Sequence, residues 1–284
     1  LMRLILMNDN NEIFLETTSI VDYALKKKYR RQIQMIIKQY NTKISSNYVR
    51  MELKKGVIAN LVYLHNKIKN CESWSQVMEA IYRLSATPQR NKLSTCLEVL
   101  QIFWSEIEQK ATGKAEISDY LMKQSPSSIR IMIRKLWKQI DKITDEKQNP
   151  MSCFVDIQPT KMVGDLLENS PAKCNNSKHE CEIKDFFKEN LSLFEAVFSH
   201  LSNLPANHID AETERRIKAL KEIIRLLPYN GRKFSNKEPN VTYCWNCSDA
   251  ILSIITPSET HILHRNPRHF IPICRALNKQ SVTY

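Results

Sequence analysis

CWNCSDAILSIITP, residues 244–257, followed after three residues by HILHRNPRHF, residues 261–270, is the stretch whose reading decides the fold. Asp249 opens a run of almost wholly apolar residues that stops at Pro257. Such a run reads as a short buried helix beginning after Cys247. A carboxylate at that point accepts bonds from first-turn amides and meets the positive end of the helix dipole, so an ordinary cap is one reading of Asp249. His261–His264 reads as a short strand and Phe270–Leu277 as a closing helix.

The other end of the chain alternates in the same way. Glu12–Glu16 reads as a strand, Thr17, Thr18 and Ser19 supply turn or cap hydroxyls, and a helix follows from about Ile20. The basic cluster Lys26, Lys27, Lys28, Arg30 and Arg31 leads into an apolar-periodic stretch through Ile33, Ile36, Ile37 and Tyr40. A second strand is expected at Thr42–Ser45, then a helix capped by Ser46 or Asn47 with Val49, Leu53, Leu61 and Leu64 along one face. The alternation predicts an α/β fold with a small parallel sheet flanked by helices.

The middle reads as helices and loops, without a strand from about Ser73 to His200. One stripe runs through Leu93, Leu97, Leu100, Trp104 and Ile107. A second runs through Ile129, Ile133, Leu136 or Trp137, and Ile140, and a third through Phe187, Leu191, Phe194, Phe198 and Leu201. A helix must bury such a face, so these predict core. Residues 145–181 are polar, broken by Pro150, Pro159 and Pro171, and read as loop. Asp210 is expected to cap a helix carrying Ile217, Leu220, Ile223, Ile224 and Leu227, stopped by Pro228 and Gly231. The expected division is a core of residues 1–68 and 205–284 around a mostly helical insertion, 69–204.

Composition narrows the function. The four glycines, Gly56, Gly113, Gly164 and Gly231, are too dispersed for the loops that cradle nucleotide phosphates in Rossmann and P-loop proteins. With 42 Lys+Arg against 30 Asp+Glu the formal charge is +12, which attracts polyanions, nucleic acid first among them. The first eight residues are too short and weakly patterned for a secretory signal, and no 18-residue apolar stretch exists, so no membrane partner and a reducing cytoplasm are expected. The eight cysteines then read as thiols, and the sequons at Asn175, Asn190, Asn240 and Asn246 as chance matches.

An apolar helix opened by Asp249, then a strand ending in the turn RNPRHF, resembles the C-terminal end of PIN-domain nucleases. FLETTSIVDYAL, residues 14–25, is similar to that family's first strand and acidic turn; YVRMELKKG, residues 48–56, is similar to its helix with an essential Glu. The motifs stand in the family's order and cover residues 1–68 and about 205–284. The resemblance implies a PIN-like core and a metal-dependent nuclease, an endoribonuclease or a hydrolase of other single-stranded nucleic acid. It implies a catalytic set of Glu16, Glu52, Asp249 and Asn266 in which Glu16, Glu52 and Asp249 hold the metal, with 5′-phosphate and 3′-hydroxyl products. Hard oxygen ligands suit Mg²⁺ or Mn²⁺. Glu16 departs from the family, which begins its set with Asp. One extra methylene shifts the ion or moves the alignment to Thr17, with Asp22 as a substitute. The competing expectation is therefore a catalytically decayed PIN-like nucleic-acid-binding or scaffold protein. Glu52 also has a plain reading as a helix-surface Glu paired with Lys55.

Arg130, Arg134, Lys138 and Lys142 recur every four residues, a basic row that can track a phosphate backbone; Lys27 and Arg31 join it as candidate phosphate contacts. A solvated helix face is the alternative. Cys244 and Cys247 form a CxxC to which Cys174, His179 and Cys181 could add zinc ligands, but a zinc site wants two such pairs, so buried thiols are the favoured reading. Of His261, His264 and His269, the alternation along the strand argues against a shared metal, while His264 or His269 could face substrate. Expected partners are RNA or single-stranded nucleic acid, with a homo-oligomer or a regulatory protein as further candidates.

Overall fold

The computed structural model describes residues 11–87, 90–107, 114–149, 159–169, 182–226 and 241–284. The chain divides into two compact units: Leu1–Arg50 with Ile140–Val155 and Lys173–Tyr284, and Met51–Gln139 with Asp156–Ala172. This division differs from the expected breaks after residues 68 and 204. It follows packing rather than blocks of sequence: α9 (Leu191–Ser202) packs on α10 (Ala211–Leu226) and α13 (Pro267–Ala276), all within the first unit.

The first unit is built on a five-stranded parallel sheet. Its strands are β1 (Glu12–Leu15), β2 (Thr42–Ser46), β3 (Glu146–Gln148), β6 (His261–His264) and β7 (Ser281–Thr283), in the order β3-β2-β1-β6-β7. β1 is central because Ile13, Phe14 and Leu15 are consecutive and apolar, so both of its faces need cover; all three are buried. It pairs Phe14 with Ile44 on β2 and Leu15 with Leu263 on β6. From β1 the chain steps outward to β2 and β3, then returns to β6 on the other side and steps on to β7. The order therefore reverses between β1 and β6, and the crevice beyond the carboxyl ends of those strands is where open α/β sheets take ligands.

Helix α1 (Thr17–Leu25) starts directly after β1, three residues earlier than its apolar pattern implies, because Glu16 caps it. Arg30, on α2 (Lys27–Ile37), reaches back to bond the carbonyls of Tyr23 at 2.8 Å and Ala24 at 2.6 Å, closing the end of α1. On α2 itself Ile33 and Ile37 are buried, while Lys27, Lys28 and Arg31 are exposed. α13 ends in a Schellman turn: Asn278 takes φ 51°, Lys279 N–H bonds Cys274 O at 2.8 Å, and Asn278 N–H bonds Arg275 O at 3.2 Å. That turn directs the Lys279 ammonium onto the carbonyls of Ser253 (2.6 Å), Ile254 (3.5 Å) and Thr256, at the end of α12 (Ser248–Ile255).

Three strands correct the expectation that residues 73–200 hold none. β3 (EKQ) carries no apolar residue, so periodicity is silent there. It exists because Lys43 N–H bonds the Asp145 carboxylate at 2.8 Å and Asp145 N–H bonds Lys43 O at 2.8 Å, which starts the pairing with β2. The second unit contains β4 (Lys161–Val163) and β5 (Leu166–Glu168), a hairpin turned at Gly164 with φ +57°. Asn66, on α4 (Ala59–Asn70), bonds both Leu167 O (2.8 Å) and Leu167 N–H (2.9 Å), as a neighbouring strand would.

The rest of the second unit is helical. The end of α3 (Asn47–Leu53) runs through a π-turn, Lys54–Ile58, into α4, and α5 (Trp74–Tyr82), α6 (Arg90–Ile107) and all but the last turn of α7 (Lys114–Ile143) follow. On α7, Ile129, Ile133, Leu136 and Ile140 are buried as their spacing requires. On α6 the core face is Cys96, Val99, Leu100 and Phe103, and Trp104 is exposed; two rows of apolar residues overlap there at Leu100, and the row without Trp104 packs. The third stripe spans two helices, α8 (Glu182–Glu189) and α9, separated at Asn190; Phe187, Phe194 and Leu201 are buried from it. Leu227, Pro228, Gly231, Cys174, His179 and Cys181 lie outside the described residues. Among the described residues no helix is long and apolar enough to cross a membrane.

Candidate functional site

Three elements of the first unit bring charged groups together near the carboxyl end of β6. α10 supplies Asp210 before its first turn, Glu212 within it and Arg216 one turn on. α12 supplies Asp249, and the turn after β6 supplies Asn266 and His269 at the start of α13. Asp210 caps α10 by accepting the Thr213 N–H at 2.7 Å, and the Thr213 bonds hold its carboxyl down to about 2.

Asp249 is not an ordinary cap, because its carboxylate faces α10 and α13 rather than the amides of its own helix. Its Oδ2 accepts Arg216 Nη2 at 2.5 Å and stands 3.6 Å from His269 Nδ1. Arg216 is only 3% exposed and also lies 3.8 Å from Glu212. His269, buried, has its Nε2 3.6 Å from Glu212 and 3.7 Å from Asp210, while its Nδ1 meets the Asn266 amide at 2.8 Å. Three carboxylates against one guanidinium leave the cluster net negative. Ligand atoms of Glu212, Asp249 and His269 lie within 4.8 Å of one another, so these residues fit a metal ion.

His264, last residue of β6, is fully buried and stacks on Phe270 with ring centroids 4.9 Å apart. Neither of its nitrogens has a hydrogen-bond partner among the described residues. Burial pushes its pKa down to about 4, against the opposing pull of the Asp249 charge.

The carboxyl end of β1 carries Glu16, 3% exposed, whose oxygens accept Thr18 N–H at 2.6 Å and Ser19 N–H at 2.9 Å. The expected first metal ligand therefore also serves as the N-cap of α1. Burial and the charges of Glu16 and Asp22 push the Tyr284 phenol up. Asp22, the substitute considered for Glu16, is buried and engaged: Arg265 reaches it at 2.8 Å, Tyr284 Oη at 3.1 Å and Lys26 at 3.2 Å.

Asp249 and Asn266 are thus brought together through His269, and Glu16 follows directly on the end of β1, the strand beside β6. Glu52 is half-buried on α3 and belongs to the second unit. Arg134, Lys138 and Lys142 are exposed on α7; Arg130 is half-buried and bonds Ser127 Oγ at 3.0 Å. Cys247 is buried, and burial drives its thiol pKa up, against the thiolate a zinc site needs. The residues missed from the sequence are Glu212 and Arg216. Their only local signal is the four-residue spacing of an acid and a base, which an ordinary surface pair shares.

No family model, no curated protein and no solved structure matches the chain. Its functional reading rests on these residues.

Proposed function

We propose that the protein is a divalent-metal-dependent nuclease with a PIN-like core, cutting phosphodiester bonds of RNA or single-stranded nucleic acid. The observation that carries this reading is Asp249 in one cluster with Glu212 and His269, beside the carboxyl end of β6 where the strand order reverses. Asp249, Glu212 and His269 would hold the ion in the first unit, with Glu16 as the further acid of that unit that the family resemblance implies. A divalent ion supplies Lewis acidity toward a phosphoryl oxygen and makes water a better nucleophile near neutral pH. Water then bonds to phosphorus, the bond from phosphorus to the 3′ oxygen breaks, and a proton passes to that oxygen. A 5′-phosphate and a 3′-hydroxyl result. Asn266 fixes the His269 ring through the 2.8 Å contact. The exposed cations Lys27, Arg31, Arg134, Lys138 and Lys142 supply non-specific attraction for phosphate.

Two observations favour a second reading, a decayed core that binds nucleic acid without cutting it: Glu16 is occupied as a cap, and Asp249 is paired with Arg216. Labelled RNA and single-stranded DNA incubated with Mn²⁺, Mg²⁺ or EDTA separate the two. Metal-dependent cleavage by the wild type and its loss in Asp249→Asn is the expected result. Salt-sensitive binding with no cleavage under any of these conditions would establish the second reading instead.

A further inference from the structure

We propose that Arg265, laid over the Tyr29 ring, is a stacking platform for an unpaired nucleobase, with Lys28 and Arg268 as contacts for the flanking phosphates. The inference rests on the nucleic-acid reading above, cutting or decayed, and narrows its substrate to single strands. Arg265 is the first residue after β6, and Asn266, next in the chain, meets His269 of the acidic cluster at 2.8 Å. The platform therefore adjoins the proposed cutting site.

The guanidinium carbon of Arg265 stands 5.8 Å from the centre of the Tyr29 ring, and the side chain is still 39% exposed. Tyr29 covers one side of the guanidinium, so the exposed side faces away from that ring. The group is also held in place. Its Nη1 donates to Asp22 Oδ2 at 2.8 Å, and the buried Asp22 carboxylate also accepts the Tyr284 Oη at 3.1 Å. The Tyr284 ring in turn meets Tyr29 edge-on, with centroids 5.8 Å apart. A planar cation fixed in this way loses little freedom when a base stacks on it, and guanidinium planes are among the groups on which splayed bases stack. The surroundings suit phosphate. Residues 26–31 carry five cations and no acid, and residues 265–268 carry two and no acid. Lys28, also over the Tyr29 ring at 5.2 Å, is exposed, as is Arg268. Inside a duplex the faces of each base are covered by its neighbours, so only an unpaired base can use the platform.

The test is fluorescence anisotropy with the full chain in EDTA, so that nothing is cut. The probes are a labelled short thymidine strand, the same strand annealed to its complement, and an abasic strand of equal length. The wild type should bind the base-bearing single strand about tenfold tighter than the abasic strand, and tighter than the duplex. Arg265→Lys keeps the charge and loses the plane. It should bring the base-bearing strand down to the level of the abasic one, while duplex binding and salt dependence stay as in the wild type. Lys28→Gln, at an exposed position, should weaken both single strands alike and leave the preference for bases intact. No preference for bases in the wild type, or a preference unchanged in Arg265→Lys, would overturn the proposal. A preference for bases in a protein that cuts nothing with Mn²⁺ or Mg²⁺ would sink the nuclease reading alone. Metal-dependent cutting without that preference would sink the platform and leave the nuclease.

Discussion

His264 sets a pH dependence of stability that can be worked out in advance. The ring is fully buried without a hydrogen-bond partner among the described residues, and burial pulls its pKa from 6.5 down to about 4. Between those two values the unfolded chain takes up a proton that the folded protein refuses. The unfolded state then binds more protons, so stability rises with pH across the window and is lost as pH falls from 6.5 toward 4. The whole gap is worth about 3 kcal/mol at about 1.4 kcal/mol per pH unit, and about 2 kcal/mol of it goes between about pH 7.5 and about pH 5. His264→Phe removes the titration while keeping an aromatic ring against Phe270, and near pH 7.5 it should match the wild type within about 1 kcal/mol. Urea denaturation in chelator-containing buffer measures both proteins across the range. Carboxylates elsewhere affect the two alike, so the difference between the curves isolates this ring. The wild type should lose about 2 kcal/mol more than the variant on acidification. Parallel pH profiles would refute the reasoning.

Lys279→Met should cost about 2 kcal/mol in urea denaturation, because it removes a charge-assisted donor from three carbonyls at the end of the helix that carries Asp249. A loss below about 0.5 kcal/mol would show that those carbonyls find other partners. Arg134→Glu with Lys138→Glu reverses two exposed charges on α7 and should weaken RNA binding with a shallower salt dependence, while Mn²⁺ binding stays as in the wild type. Filter binding at several salt concentrations reads this out, and an unchanged slope would remove the basic row from the binding surface.

Much of the sheet was legible because its strands and neighbouring helices carry their own signals. Ile13–Leu15 and His261–His264 are short apolar runs between polar turns, and the helix after Cys247 is apolar almost throughout; each must be buried wherever it ends up. β3 and β7 were not legible, since EKQ and SVT at the sheet's edges owe their pairing to neighbours rather than to hydrophobicity. The overlapping rows on α6 show the same limit, because a helix with apolar residues on two adjacent faces does not declare which one packs.

The candidate site divides along the same line. Asp249 stood out as an acid opening a buried helix, a local feature, and Asn266 through the resemblance carried by the polar turn that closes a strand. What Asp249 touches is a tertiary matter. Glu212 and Arg216 come from a helix 33 or more residues earlier, and only the packing of α10 and α13 beside α12 turns a surface acid, a buried guanidinium and a turn histidine into one cluster. Local sequence sets which segments must be buried and in what conformation, since periodicity and turn chemistry act over a few residues. Which charges then face each other is decided by the register of segments far apart in the chain, to which no local pattern responds.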